Sequence, residues 1–152
     1  MFADPVFLRF TRVPEPPPDG FERTWYERYE KGKADGTRRN FAVVEGPEQV
    51  FVGFAVAPSI DSEERTAELG YGITAANRGR GLATEVLRVL TAWAFDELGM
   101  FRLQLLIDPE NIGSKKVAER CGYTFEGLLR SLYVKPGRRG DTESWSRLAT
   151  DP

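Results

Sequence analysis

Arg78-Gly79-Arg80-Gly81-Leu82-Ala83 runs straight into an amphipathic helix pattern, and the fold is decided by how this stretch is read. Two glycines let the backbone curl tightly and expose its N–H groups. The start of the next helix adds unpaired donors and the positive end of the helix dipole. Together these make a cradle for a pyrophosphate. A plain tight turn fits the same six residues, so the neighbours must decide. Before the turn, Thr66–Ile73 reads as a strand. After it, Leu82, Val86, Val89, Leu90, Trp93 and Leu98 recur at helical spacing, which predicts a helix packed on a sheet and ended near Gly99. Residues 101–107 read as a further strand. Asp108-Pro109-Glu110-Asn111 then turns the chain into a short helix, Ile112–Arg120, closed by Cys121-Gly122-Tyr123.

Working outward, Glu15-Pro16-Pro17-Pro18-Asp19-Gly20 is a loop. Residues 21–33 read as a helix carrying Trp25, Tyr26 and Tyr29, ended near Gly36. Residues 41–44 and 50–56 form a hairpin around Gly46-Pro47-Glu48, and residues 58–65 read as a polar loop. Two last strands, near 124–134 and 141–148, join at Pro136-Gly137. The order is helix, hairpin, strand, helix, strand, helix, two strands, within one domain spanning 1–152. This is an α/β (α+β) arrangement of helices on a mostly antiparallel sheet.

Composition narrows the function classes. With 152 residues, of which 41% are hydrophobic and 29% charged, the chain has the make-up of one globular domain. The net charge of −2 argues against a nucleic-acid footprint; Lys135, Arg138 and Arg139 read as a solvated hairpin turn. No apolar run approaches the roughly 20 residues that cross a membrane, and Met1-Phe2-Ala3-Asp4-Pro5 does not resemble a secretory signal. The single cysteine, Cys121, excludes an internal disulfide, and a cytoplasmic location is expected. The absence of histidine removes the usual catalytic triads and the commonest metal ligand, so no metal site is expected.

Several ordered segments carry a family resemblance. The turn fits the pattern Gln/Arg-x-x-Gly-x-Gly/Ala, with Arg78, Gly81 and Ala83 in the fixed places. Ala67-Glu68-Leu69-Gly70-Tyr71, Gly81-Leu82-Ala83-Thr84-Glu85, Asn111-x-x-Ser114 with residues 118–123, and Glu126-Gly127 followed by residues 141–145 accompany it. In these features the chain resembles the GNAT superfamily of acyl-CoA-dependent N-acetyltransferases, in its RimJ/RimL-like branch, well from residue 40 onward and weakly before. The resemblance implies a GNAT fold with splayed central strands, here Glu68–Ile73 and 101–107, and helices on both faces. The pantetheine arm of the cosubstrate, acetyl-CoA, pairs with strand backbone in that gap as an added strand would. Relatives of this branch begin with a further strand and helix, which look missing here. Their loss would expose the strand near Phe41 as an edge, and a homodimer is expected on that ground.

The attacking group in acetyl transfer is a neutral amine. An α-amine has a reference pKa near 8 and a lysine about 10.4, a gap of about 2.4 units or roughly 3.3 kcal/mol. An enzyme for α-amines therefore works with a weak base or a water chain, whereas one for lysines or polyamines needs more help. The resemblance points Glu68 at the acceptor amine as general base; a strand-surface glutamate paired with an arginine is the competing reading. It places Tyr133 near the thiol as general acid, against a hydrogen-bonded core tyrosine. Asn111 suits a helix N-cap and Ser114 a first turn; in relatives the asparagine touches pantetheine and the serine lies near the sulfur, and the two kinds of role are compatible. The pyrophosphate falls to Arg78, Gly79, Arg80, Gly81, Leu82, Ala83 and Thr84. A backbone N–H near Tyr71 or Ile73 polarises the thioester carbonyl. Trp25, Tyr26, Tyr29 and Trp145 read as core more readily than as an acceptor pocket, and Cys121 as buried and inert. Three outcomes stay open: an N-acetyltransferase acting on a protein or peptide α-amine, one acting on a small amine such as an antibiotic, polyamine or amino acid, and a non-catalytic acyl-CoA-binding module.

Overall fold

Alternation along the strands divides the residues between two faces. In β3 (Thr66–Ile73), Ala67, Leu69 and Ile73 are buried towards one face, and Glu68, Gly70 and Gly72 point to the other. The computed structural model describes residues 1–152. Its six strands are β1 (Arg39–Glu45), β2 (Val50–Asp61), β3, β4 (Arg102–Ile107), β5 (Thr124–Lys135) and β6 (Arg138–Leu148), ordered β1-β2-β3-β4-β6-β5. Every neighbouring pair is antiparallel except β3–β4. That parallel pair holds only at Thr66–Arg102, Ala67–Leu103 and Glu68–Gln104, after which the strands part. The mostly antiparallel sheet and its splayed centre match the expectation.

Helices cover both faces. On one, α3 (Leu82–Asp96) and α4 (Ile112–Arg120) pack Leu87, Leu90, Ala94, Val117 and Ala118 against Leu69, Leu103, Leu105 and Trp145. The buried stripe of α3 is Thr84, Leu87, Leu90, Thr91 and Ala94. Of the larger residues whose spacing predicted the helix, Val89 is exposed, while Leu82, Val86 and Trp93 face a groove of about 610 Å³ beside β1. Phe41 closes over Trp93 there, ring centroids 4.9 Å apart. On the other face, α2 (Phe21–Asp35) and a six-residue helix α1 (Pro5–Phe10) stack Phe7, Trp25 and Phe54 edge to face. Trp25 is half-buried and Tyr29 and Trp145 fully so, as expected of core; Tyr26 is exposed.

Three local readings are corrected. The segment 58–65 is not all loop, because β2 continues to Asp61 across an irregularity between Val56 and Ser59. Pro58, which has no N–H to give, sits in that irregularity. The helix α1 was not expected; Asp4 caps it, accepting from Val6 and Phe7 N–H, and Pro5 occupies its first turn. Lys135 is not solvated. It is 3% exposed, and its ammonium donates to the Leu8 and Arg9 carbonyls at the end of α1, which a helix terminus leaves without internal partners.

Leu103 is fully buried at the centre of the main core. Leu103→Ala is expected to cost about 2–5 kcal/mol, read as a lower denaturant midpoint at unchanged slope; a loss below about 1 kcal/mol would mean that the core is elsewhere.

Candidate active site

The turn after β3 leaves a row of backbone donors free. Arg78 N–H bonds the Ala75 carbonyl at 3.4 Å, and Glu85 N–H is the next to find a partner, the Gly81 carbonyl at 3.2 Å. The N–H groups of Gly79, Arg80, Gly81, Leu82, Ala83 and Thr84 have no acceptor in the protein. Gly79 and Gly81 hold φ of 74° and 80°, a region unfavourable to residues with a Cβ. A Cβ on either would meet open space, so the concavity is accessible. The glycine spacing predicts an anion cradle here, and the turn has the free main-chain donors and open concavity that such a cradle needs.

The arginines of the turn serve it differently from expectation. The Arg78 guanidinium donates to the Ile73 carbonyl at 3.2 Å and pairs with Asp4. Arg80 grips Glu45 with both terminal nitrogens, at 2.7 and 3.1 Å, and donates to Asn77 at 2.9 Å. Both side-chain charges are therefore engaged in shaping the loop, and the cradle presents main-chain dipoles.

The parted strands form the second part of the site. Thr74 N–H bonds the Val52 carbonyl, so by antiparallel alternation the N–H groups of Tyr71 and Ile73 face away from β2, into the gap. The Tyr71 hydroxyl is buried beside Ser114 without a formed hydrogen bond, and burial pushes its pKa up to about 12. Such an orphaned group asks for a partner. Ser114 is held by its own N–H, which donates to the Asn111 side chain capping α4, at 3.1 Å. Cys121 is buried, its thiol donating to the Thr84 carbonyl at 3.5 Å, and desolvation raises its pKa, consistent with an inert packing role. Tyr133 donates to Asp108 at 3.0 Å, so the phenol is held at the far end of β4; burial first, and Asp108 second, raise its pKa.

Glu68 lies on the opposite face, where β3 and β4 begin to part. It lines a polar pocket of about 160 Å³ with Ser59, Thr66, Arg102 and Gln104. Burial raises its carboxyl pKa, and the charges of Arg12 and Arg38 pull it back. No arginine bridges to it, so the surface-ion-pair reading of Glu68 does not hold. Arg12, Arg38 and Asp108 escaped the reading of the sequence. No local pattern marks the two arginines, which come from different loops; Asp108 was visible only as a turn residue.

The geometry is a row of free main-chain donors at a helix start, opening into a gap between splayed strands with a carboxylate behind it. Residues 1–124 match the family model described as Acetyltransferase (GNAT) domain, and the chain belongs to that family. It is 29% identical over 114 residues to the uncharacterized N-acetyltransferase p20 of Bacillus licheniformis, covering 75% of this chain and 64% of that one. It is 29% identical over 107 residues to spermidine N(1)-acetyltransferase of Escherichia coli K12, covering 70% and 56%. The chain thus spans less than two thirds of these curated relatives. The spermidine N-acetyltransferase SpeG F149A mutant from Vibrio cholerae superposes with a TM-score of 0.75 at 26% identity, covering 88% of this chain and 78% of that one.

A carboxyl whose pKa is raised on folding makes ionisation a cost to the native state. The stability of the wild type relative to Glu68→Gln should therefore fall as pH rises from 4.5, the ordinary value, through the raised native one, and level off above it. Thermal midpoints of both proteins from pH 4 to 8 measure this, and a pH-independent difference would show that Glu68 is not buried as described.

Proposed function

We propose that this chain is an acetyl-CoA-dependent N-acetyltransferase of RimJ/RimL-like type, moving an acetyl group directly to a primary amine, either the α-amine of a protein or peptide or a small amine. The run of six unpartnered N–H groups, Gly79 to Thr84, carries the reading. Acetyl-CoA supplies the activated acetyl group as a thioester. The free N–H groups hold its pyrophosphate, aided by the α3 dipole. Asn111 orders the first turn of α4 beside the pantetheine arm, and Ser114 and Tyr71 meet near the sulfur. A gap-facing N–H of Tyr71 or Ile73 polarises the thioester carbonyl. Glu68 takes the proton of the acceptor ammonium, directly or through water. The amine nitrogen then bonds the acetyl carbon as the carbon–sulfur bond breaks and loses its second proton to solvent as the amide forms, while Tyr133, kept protonated by burial and by Asp108, gives its phenolic proton to the departing thiolate and regains one from solvent. A cytoplasmic location accompanies this reading, in keeping with a single cysteine.

Calorimetry with acetyl-CoA, followed by thiol release across a panel of amines, tests it. The wild type is expected to bind acetyl-CoA and not ATP or NAD. Gly81→Val, checked for retained fold by circular dichroism, should bind at least tenfold more weakly because its side chain fills the cradle. Glu68→Gln should keep acetyl-CoA affinity and lose about 10²–10⁴ in turnover. No binding by the wild type would refute the reading, and binding without turnover of any amine would leave an acyl-CoA-binding module.

Pairing of two chains through β1 belongs to the same proposal. This edge strand exposes Phe41 and Val44, and the start of β2 beside it exposes Val50 and Phe51. Sedimentation should show a dimer at micromolar concentration that Val44→Lys dissociates; a wild-type monomer would overturn it.

A further inference from the structure

The face around Glu68 carries a charge pattern that the transfer chemistry does not require. Arg12 follows α1. Arg38 follows α2 next to Thr37, whose carbonyl accepts from Ile60 N–H at 2.9 Å, while the adjacent Ser59 pairs with Glu68, so Arg38 stands beside this pocket. The charges of both arginines act on the Glu68 carboxylate. Arg12, which is exposed, acts on Tyr133 as well. Neither arginine has a carboxylate partner, whereas Arg9, Arg78, Arg80 and Arg102 all do. The Arg102–Glu126 pair at the same pocket is self-neutralising, with a contact at 3.0 Å. Arg12 and Arg38 therefore remain unpaired cations beside Glu68.

Arg38 is also held in place. Its stem lies on Gly32 of α2, where a Cβ would fall 2.5–2.7 Å from three of its side-chain carbons. Only glycine permits that approach. The guanidinium stands over the Tyr29 ring at 5.9 Å from its centroid, and Tyr29 is buried and packed on Trp25 at 4.5 Å. A guanidinium on a half-buried residue held in this way, with no carboxylate in ion-pair contact, is suited to a carboxylate or phosphate from outside the chain.

We propose that the acceptor is a primary amine bearing an anionic group, a carboxylate or a phosphate, which Arg12 and Arg38 receive while the amine lies at Glu68. The proposal rests on the acyltransfer reading above and names its substrate class. The anion pairs with the unpartnered guanidinium groups and aligns the amine on the carboxylate. The second ammonium of a polyamine meets like charge at the same place, so this site disfavours spermidine even though a spermidine acetyltransferase is among the relatives.

Thiol release with acetyl-CoA and matched acceptors tests the idea. The pairs are β-alanine with β-alaninamide, and an acidic tripeptide with a free N-terminus against its neutral amide analogue; spermidine completes the panel. The acid of at least one pair should exceed its neutral partner at least tenfold in kcat/KM, and spermidine should be poorest. A preference within the first pair points to a small amino acid, and one confined to the second to an acidic peptide end. Arg38→Gln and Arg12→Gln should each raise KM for the favoured acid at least tenfold, with kcat, the KM of the neutral partner and acetyl-CoA affinity little changed. Arg38→Lys should restore part of the loss. Equal use of acid and amide, a preference for spermidine, or an equal loss for all acceptors in the variants would overturn the proposal. Where acetyl-CoA binds but nothing turns over, calorimetric titration of the CoA-loaded protein with the same pairs decides: selective binding of the acid, lost in Arg38→Gln, supports it, and no selectivity overturns it. Failure to bind acetyl-CoA would instead strike the transferase reading itself.

Discussion

Beyond Glu68 and Gln104 the two central strands share no further pairing, and most of the molecule is arranged around that separation. Unpaired main-chain groups in a buried setting are costly, so a gap of this kind persists only where something else supplies partners. At the mouth of the gap Arg78 takes the Ile73 carbonyl, and the Asn111 cap fixes the first turn of α4 across from Tyr71. The α3 and α4 core holds β3 and β4 from below, with Leu87 and Leu103 fully buried. The free N–H groups that follow are the continuation of the same unpaired backbone, now curled by two glycines instead of extended.

The charges divide along functional lines. At the cradle both arginine side chains are matched by Asp4 and Glu45. An anion there meets dipoles already oriented by the backbone, which need little reorganisation. On the face around Glu68 the pattern inverts: Arg12 and Arg38 have no carboxylate partner, so side chains rather than main-chain groups present the charge.

Punctuation residues made much of this legible from sequence. Gly81 and Asn111 bound α3 and α4, Gly36 ends α2, and the apolar run of β3 announced the strand before the turn. Elements too short or too irregular to show a period were hidden. The six residues of α1 make less than two turns, and Pro58 reads as a loop although the strand bridges it. Along α3 the spacing found Leu90, Val86 and Trp93, which pack on the core, but passed over the more deeply buried Leu87, Thr91 and Ala94 and included the exposed Val89. Lys135 looked solvated because its partners, the carbonyls of α1, lie more than a hundred residues away. Arg12 and Arg38 were missed for the same reason: their meaning comes from convergence on Glu68 in space, and nothing in their local surroundings signals it.

The helix α1 acquires a mechanical role from its two ends. Its capping residue, Asp4, is bound to Arg78, which follows β3; its last carbonyls are bound to Lys135 at the end of β5. One end thus belongs to the β1-β2-β3 half of the sheet and the other to the β4-β6-β5 half. The halves form a fork joined at its base by three residue pairs, and α1 ties the prongs together near their tips. Each anchor involves a charged side chain, so two polar contacts, as well as apolar packing, link the two halves of the sheet across the gap.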